Sequence, residues 1–160
     1  MERLSSEDDY YIRLGGNDTP IQIGALQIFR RPKNGRFLDL VRARFAERLH
    51  ATPLPRVLRF APFDFDLPVW LHVADCDLEN HVRKVEQAGS FTEADLHRLV
   101  ERLYLEPLDP ERPPFVVHVV DEVDGDRSAI FLKVHHSMFD GIGFQNAMRL
   151  LLDPPPESLA

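Results

Sequence analysis

The stretch Phe115-Val116-Val117-His118-Val119-Val120-Asp121-Glu122-Val123, then Asp124-Gly125-Asp126, then Ser128-Ala129-Ile130-Phe131-Leu132-Lys133-Val134-His135 decides the fold. Its two runs, 115–123 and 128–135, are β-branched and apolar on both faces, as strands covered on both sides require. The Asp-Gly between them is a hairpin signal. The pair is therefore expected at the centre of a sheet. Downstream, Phe144, Ala147, Met148 and Leu151 mark a last helix from about 141 to 152, and Asp153-Pro154-Pro155-Pro156 stops it.

Upstream, Thr92 caps a helix over 92–104, Asp95 echoes a capping box, and Phe91 and Leu96 are placed for a hydrophobic staple. Leu96, Leu99, Val100 and Leu103 form its buried stripe, and Pro107 and Pro110 follow its end. Residues 36–50 are read as an amphipathic helix with Phe37, Leu40, Val41, Phe45 and Leu49 on one face. A strand is expected over 20–30, with Ile21, Ile23 and Ala25 sharing a face, and a short helix over 5–14 capped by Ser5 or Ser6. Residues 69–73 and 78–84 read as extended, and 51–68 as Pro- and aromatic-rich with short extended pieces. The sum is an α/β domain: a mixed β-sheet with helices packed against it.

The chain has 160 residues, one domain's worth. With 44% hydrophobic and 28% charged residues it has the balance of a soluble globular protein. A net charge of −7 argues against nucleic acid as a partner, because basic surface does most of that binding. The single cysteine, Cys76, excludes an internal disulfide and suits a reducing compartment. The acidic N-terminus lacks a signal peptide's apolar stretch, and no apolar run approaches the roughly 20 residues of a spanning helix. A cytoplasmic protein is expected, one that could touch a membrane surface but does not cross it.

The segment that carries chemistry is His135-His136-Ser137-Met138-Phe139-Asp140-Gly141, where the central strand meets the last helix. Adjacent strand residues point to opposite faces. Extending the alternation places His136 with Ile130, Leu132 and Val134, and His135 with Phe131 and Lys133. Two imidazoles so arranged are badly placed to chelate one metal, and no metal site is expected. A histidine at a strand end suits general base work near neutral pH. Asp140 is placed to cap the last helix or to pair with a cation, and Gly141 leaves room for close approach.

His-His-x-x-x-Asp-Gly is similar to the signature of the coenzyme A-dependent acyltransferase superfamily. Leu4-Ser5-Ser6-Glu7-Asp8, Ile23-Gly24-Ala25-Leu26-Gln27-Ile28-Phe29, Pro68-Val69-Trp70 and His81-Val82-Arg83 resemble one branch of it, the bacterial wax ester synthase/diacylglycerol acyltransferases. So does Pro107-Leu108-Asp109-Pro110-Glu111-Arg112-Pro113-Pro114-Phe115, although Pro114-Phe115 stand where the family has Leu-Trp. The resemblance implies a fold like the N-terminal domain of the chloramphenicol acetyltransferases. It implies an O-acyltransferase that moves a long-chain acyl group from acyl-CoA, as co-substrate and with no resident cofactor, to diacylglycerol or a fatty alcohol. His136 would be the general base, His135 would support the loop, Asp140 would hold its shape and Gly141 would keep the channel open. Pro107, Asp109 and Arg112 would be structural or line the substrate entrance. The resemblance also implies that residues 1–160 form the N-terminal half of a two-domain enzyme. The other half would then come from a separate chain or be replaced by self-association. Two other readings are open: a catalytically incomplete half-domain serving as a lipid-binding or assembly module, and acyl transfer from a carrier protein.

Seven of the 19 basic residues, Arg30, Arg31, Lys33, Arg36, Arg42, Arg44 and Arg48, lie close together and read first as a solvated face. Coenzyme A phosphates or an anionic membrane are the alternatives for them. Asp75 and Asp77 flank Cys76 and should raise its pKa. Trp70, Phe60, Phe63 and Phe65 read as packing, although an acyl-chain wall would use the same types. His50, His72, His81, His97 and His118 read as structural, with no partner apparent.

Overall fold

In the computed structural model, which describes residues 2–14, 21–87 and 89–152, the chain opens with β1 (Glu2–Arg3), α1 (Ser6–Leu14) and β2 (Gln22–Arg30). It continues through α2 (Phe37–Arg48), β3 (Arg56–Arg59), β4 (Val69–His72), α3 (Leu78–His81) and β5 (Val82–Lys84). It ends with α4 (Glu93–Leu105), β6 (Phe115–Val123), β7 (Arg127–His135) and α5 (Gly141–Leu151). The strands β2-β7-β6-β5 form one sheet, antiparallel except for the parallel β5–β6 pair. The expected hairpin thus lies at the centre of a mixed sheet. Its turn holds Asp124 and Gly125 at φ 50° and 85°, the left-handed conformation that Asp tolerates and Gly favours.

Each face of the sheet has its own core. On one face Val117, Val119, Ile130, Leu132 and Val134 pack with Val41 and Phe45 of α2 and with Phe144, Ala147 and Leu151 of α5. On the other, Val120, Val123, Ala129 and Phe131 pack with Leu96, Leu99 and Leu103 of α4. Covering both faces explains why the buried stretches of β6 and β7 are mainly apolar, with His118, Ser128 and Lys133 as the buried polar residues among them. Gly24 lets the edge strand close on that second core, since a Cβ there would lie 2.8 Å from the Phe131 ring.

Local signals behave as the chemistry demands. The Thr92 hydroxyl accepts from Asp95 N–H, and the Asp95 carboxylate accepts from Thr92 N–H, which completes the capping box of α4. Ser5 Oγ accepts from Asp8 N–H at 3.0 Å and caps α1. Two expectations change. In α2, Leu38 is buried and Leu40 is 50% exposed, because the buried stripe runs Leu38, Val41, Phe45. Residues 78–84 are not continuously extended: Asp77 Oδ1 accepts from Glu79 N–H and Asn80 N–H, which nucleates the turn of α3 before β5. The Pro- and aromatic-rich segment does hold a short extended piece, β3, which joins a second small antiparallel sheet, β1-β4-β3. The expected strand residue Pro20 and the stop at Asp153–Pro156 lie outside the described residues.

Candidate active site

The strand β7 ends at His135, not His136. A 3-10 turn over His136–Met138 takes the chain out of the sheet, and α5 starts at Gly141. Continuing the strand alternation to His136 therefore fails, but its consequence stands: the two imidazoles part company. His136 is half-buried, and its ring packs on Tyr11 of α1 with centroids 4.7 Å apart. Its backbone N–H donates to Ile21 O at 3.0 Å, which ties the turn to the start of β2. Neither of its ring nitrogens is engaged by a described residue.

His135 faces the other way, over a cavity of about 220 Å³. Ser137 N–H donates to its Nδ1 at 3.2 Å, and Ser137 Oγ lies 2.7 Å from the same atom. A ring nitrogen that accepts from a backbone N–H carries no proton, so the neutral ring holds its proton on Nε2. Burial, and then the neighbouring His136, push the His135 pKa below its ordinary value and favour that neutral form.

Asp140 caps α5: its carboxylate accepts from Gly143 N–H at 2.5 Å, and its carbonyl accepts from Phe144 N–H at 2.9 Å. No cation among the described residues pairs with it. Gly141 opens onto free space, since a Cβ there would meet nothing within 4 Å. His136, Asp140 and Gly141 therefore belong to one turn.

Pro107, Asp109 and Arg112 lie apart from that turn and line the cavity with His135. Within the loop, Asp109 accepts from Glu111 N–H at 2.9 Å and pairs with Arg112 at 3.2 Å. Two side chains that the sequence did not single out as site residues hold this loop in place. Lys133 is 1% exposed, and its Nζ donates to Leu103 O at 2.6 Å and Glu106 O at 2.5 Å. Gln22 pairs with His135 in the register; its Nε2 donates to Tyr104 O and Glu106 O, while Tyr104 Oη donates to Gln22 O. Carbonyls in the last turn of a helix are short of donors; Glu106 N–H reaches Leu103 O at 3.3 Å, and these two residues add donors from the sheet. Alternation along β7 places Lys133 on the His135 side, and that was the available signal. Trp70, Leu58 and Phe60 complete the wall, so part of the aromatic group meets the cavity, whereas Phe63 and Phe65 are almost fully exposed.

The remaining sequence candidates fall elsewhere. Arg30 pairs with Arg127 at the far end of the β2–β7 ladder, roughly 26 Å from His135 at about 3.3 Å per residue. Within the basic run, Arg31 pairs with Glu122, Arg36 with Asp39 and Arg44 with Glu47. His81 has partners after all: its Nδ1 lies 2.8 Å from Phe115 O, and its ring stacks on Phe115. His50 and His72 pack ring to ring. His118 stacks on Phe131, and its buried Nε2 has no partner among the described residues.

The sequence matches the wax ester synthase/diacylglycerol acyltransferase catalytic domain over residues 4–159. A probable diacylglycerol O-acyltransferase of Mycobacterium tuberculosis is 30% identical over 143 residues, which are 89% of this chain and 53% of the relative. A putative diacylglycerol O-acyltransferase of the same organism is 32% identical over 162 residues, 98% of this chain and 34% of its own. The chain thus spans from about a third to about half of these relatives. Among solved structures, the wax ester synthase/diacylglycerol acyltransferase of Marinobacter aquaeolei VT8 superposes with a TM-score of 0.73 at 24% identity, over 90% of this chain and 36% of that one. The starter condensation domain of rhizomide synthetase in complex with C8-CoA gives 0.70 at 13% identity, over 94% and 34%. The fold is the one these enzymes share.

Proposed function

The chain belongs to the wax ester synthase/diacylglycerol acyltransferase family, and we propose that it provides the histidine-bearing half of an O-acyltransferase acting on long-chain acyl-CoA. The acceptor is diacylglycerol or a fatty alcohol. The observation that carries this reading is His136 on a tight turn: half-buried, braced by Tyr11 and with no described residue engaging its ring nitrogens. A base so placed has its lone pair free for a substrate hydroxyl.

In this reading, His136 takes the hydroxyl proton as the alcohol oxygen attacks the thioester carbonyl carbon. The new C–O bond forms, the C–S bond breaks, and the proton passes from His136 to the departing thiolate, giving coenzyme A and an ester. General base assistance of this kind contributes about 10²–10⁴-fold. Asp140 acts at one remove by fixing where α5 starts. The loop Pro107–Arg112 shapes the entrance beside His135. The match to only part of the relatives' length supports a second half, either on the same polypeptide or on another, that covers the His136 side.

Release of coenzyme A from palmitoyl-CoA, with and without hexadecanol or diacylglycerol, tests the reading. Acceptor-dependent release by the wild type that disappears in His136→Ala is expected. Release that His136→Ala leaves unchanged would overturn the assigned base. A folded chain without release would mean that the site needs its other half, and the lipid-binding module would gain ground.

A further inference from the structure

The connection between β3 and β4 carries the most exposed large apolar side chains among the described residues. Phe63 is 91% exposed and Phe65 is 87% exposed, and their rings meet edge to face with centroids 6.0 Å apart. Phe63 has φ 56°, a left-handed conformation that a bulky residue rarely adopts. Packing within the chain does not offset that strain, because the ring stands in solvent. The tip also carries few open polar groups. Pro62 and Pro68 have no backbone N–H. Phe65 N–H donates to Pro62 O at 3.4 Å, and Leu67 N–H donates to Asp66 Oδ1 at 2.7 Å. Arg3 and Arg59 both pair with Val69 in the small sheet, at the end where the tip emerges, and Arg3 forms an ion pair with Asp66. These two cations balance Asp64 and Asp66, so the tip and its base have no net charge.

We propose that Phe63 and Phe65 dock the protein on a lipid surface of zwitterionic headgroups, with both rings entering the boundary between headgroups and acyl chains. This goes beyond the acyl-transfer reading and does not depend on it. A lipid surface accepts a convex tip without a matching hollow. A stable protein interface takes about 800 Å² of complementary surface from each partner, and the neighbours of this tip, Arg3, Arg59 and Asp66, are exposed and charged. Lipid binding of this kind scales with the apolar area buried. It needs no anionic lipid, and the net charge of −7 opposes an anionic surface. The basic run, the other seat for a membrane, has Arg31, Arg36 and Arg44 in ion pairs. Phe60, which begins the connection, also lines the cavity beside Leu58 and Trp70, so apolar surface leads from the base of the tip into the protein.

The test sediments the purified chain with sucrose-loaded vesicles of dioleoylphosphatidylcholine, and of the same lipid with phosphatidylserine added, at low and high salt. Wild type should sediment with phosphatidylcholine alone, equally at both salt concentrations. The double variant Phe63→Ser, Phe65→Ser should partition about 10–10²-fold more weakly, the value of burying two phenylalanine rings in part. Both side chains are exposed, so the variant should melt as wild type does. Phe65→Trp reads insertion directly. Its emission should shift to the blue on phosphatidylcholine vesicles and be quenched by lipid brominated high on the acyl chain. Wild type, whose only tryptophan is the buried Trp70, supplies the unchanged background. Should the double variant melt lower, the Phe65→Trp measurement decides. No sedimentation of wild type, equal partitioning of the double variant, or a Phe65→Trp emission that vesicles leave unchanged would overturn the proposal. Binding that requires phosphatidylserine and is lost in salt would overturn it in favour of the basic run. None of these readouts involves turnover, so failure of acyl transfer leaves them unchanged.

Discussion

The pH dependence of folding should be set largely by His118, a residue away from the proposed chemistry. Burial, then the charges of Lys133 and Arg83, push its pKa from 6.5 down to about 4. Above pH 6.5 the ring is neutral in both folded and unfolded chains and contributes no pH dependence. Between pH 6.5 and 4 the unfolded chain takes up the proton and the folded one does not, so stability falls as the pH falls. The gap from this residue is about 2 kcal/mol at pH 5 and approaches about 3 kcal/mol below pH 4. His81 and His135 are also pushed down by burial and add in the same direction. The clean comparison is therefore with His118→Phe, which keeps a ring against Phe131 and removes the unpaired Nε2. Urea unfolding at pH 7.5, 6 and 5 reads it directly. Wild type should lose about 1 M more in its midpoint than His118→Phe between pH 7.5 and 5, for a slope near 2 kcal/mol/M. Parallel loss in both proteins would refute the reasoning.

Lys133→Met should cost about 1–2 kcal/mol by urea unfolding, because it removes one donor each from Leu103 O and Glu106 O, which keep Glu106 N–H and Gln22 Nε2 as their other donors. Asp140→Ala should cost about 1 kcal/mol through the lost cap of α5, and Asp140→Asn should recover most of it. Gly141→Ala meets no neighbour within 4 Å and should raise the melting temperature slightly, by about 0.4–1 kcal/mol of stability, while slowing acyl transfer if substrate passes there. Burial, then Asp77, push the Cys76 thiol up to about 11, so a thiol reagent at pH 8 should label it far more slowly than it labels the unfolded chain.

The central hairpin, the capping box at Thr92–Asp95 and the apolar stripe of α5 were legible because each is a local pattern. Periodicity or a single hydrogen-bonding motif fixes it. The α2 stripe was misread at Leu40 because Phe37, Leu38, Leu40 and Val41 offer overlapping stripes, and only the position of the sheet chooses between them. Residues 78–81 were misread as extended because the Asp77 cap outweighs the strand-like look of the segment. At the site, the resemblance directed attention to His135, His136 and Asp140. Alternation foresaw that the two imidazoles part, but not that the chain leaves the sheet at His136, which places that ring against Tyr11 of α1 instead of on a sheet face. Gln22 and Lys133 were hidden for a different reason. Their partners are backbone carbonyls more than 25 residues away, and sequence spacing carries no trace of such contacts.

The central claim, that His136 is the base in an acyl transfer, is tested most directly by following product. The chain is supplied with [¹⁴C]palmitoyl-CoA and hexadecanol or dioleoylglycerol, and labelled ester is separated and counted for wild type, His136→Ala and His135→Phe. The account predicts labelled wax ester or triacylglycerol from wild type and a loss of about 10²–10⁴-fold in His136→Ala. His135→Phe should retain measurable turnover. Equal label from wild type and His136→Ala, or a complete loss confined to His135→Phe, would contradict it.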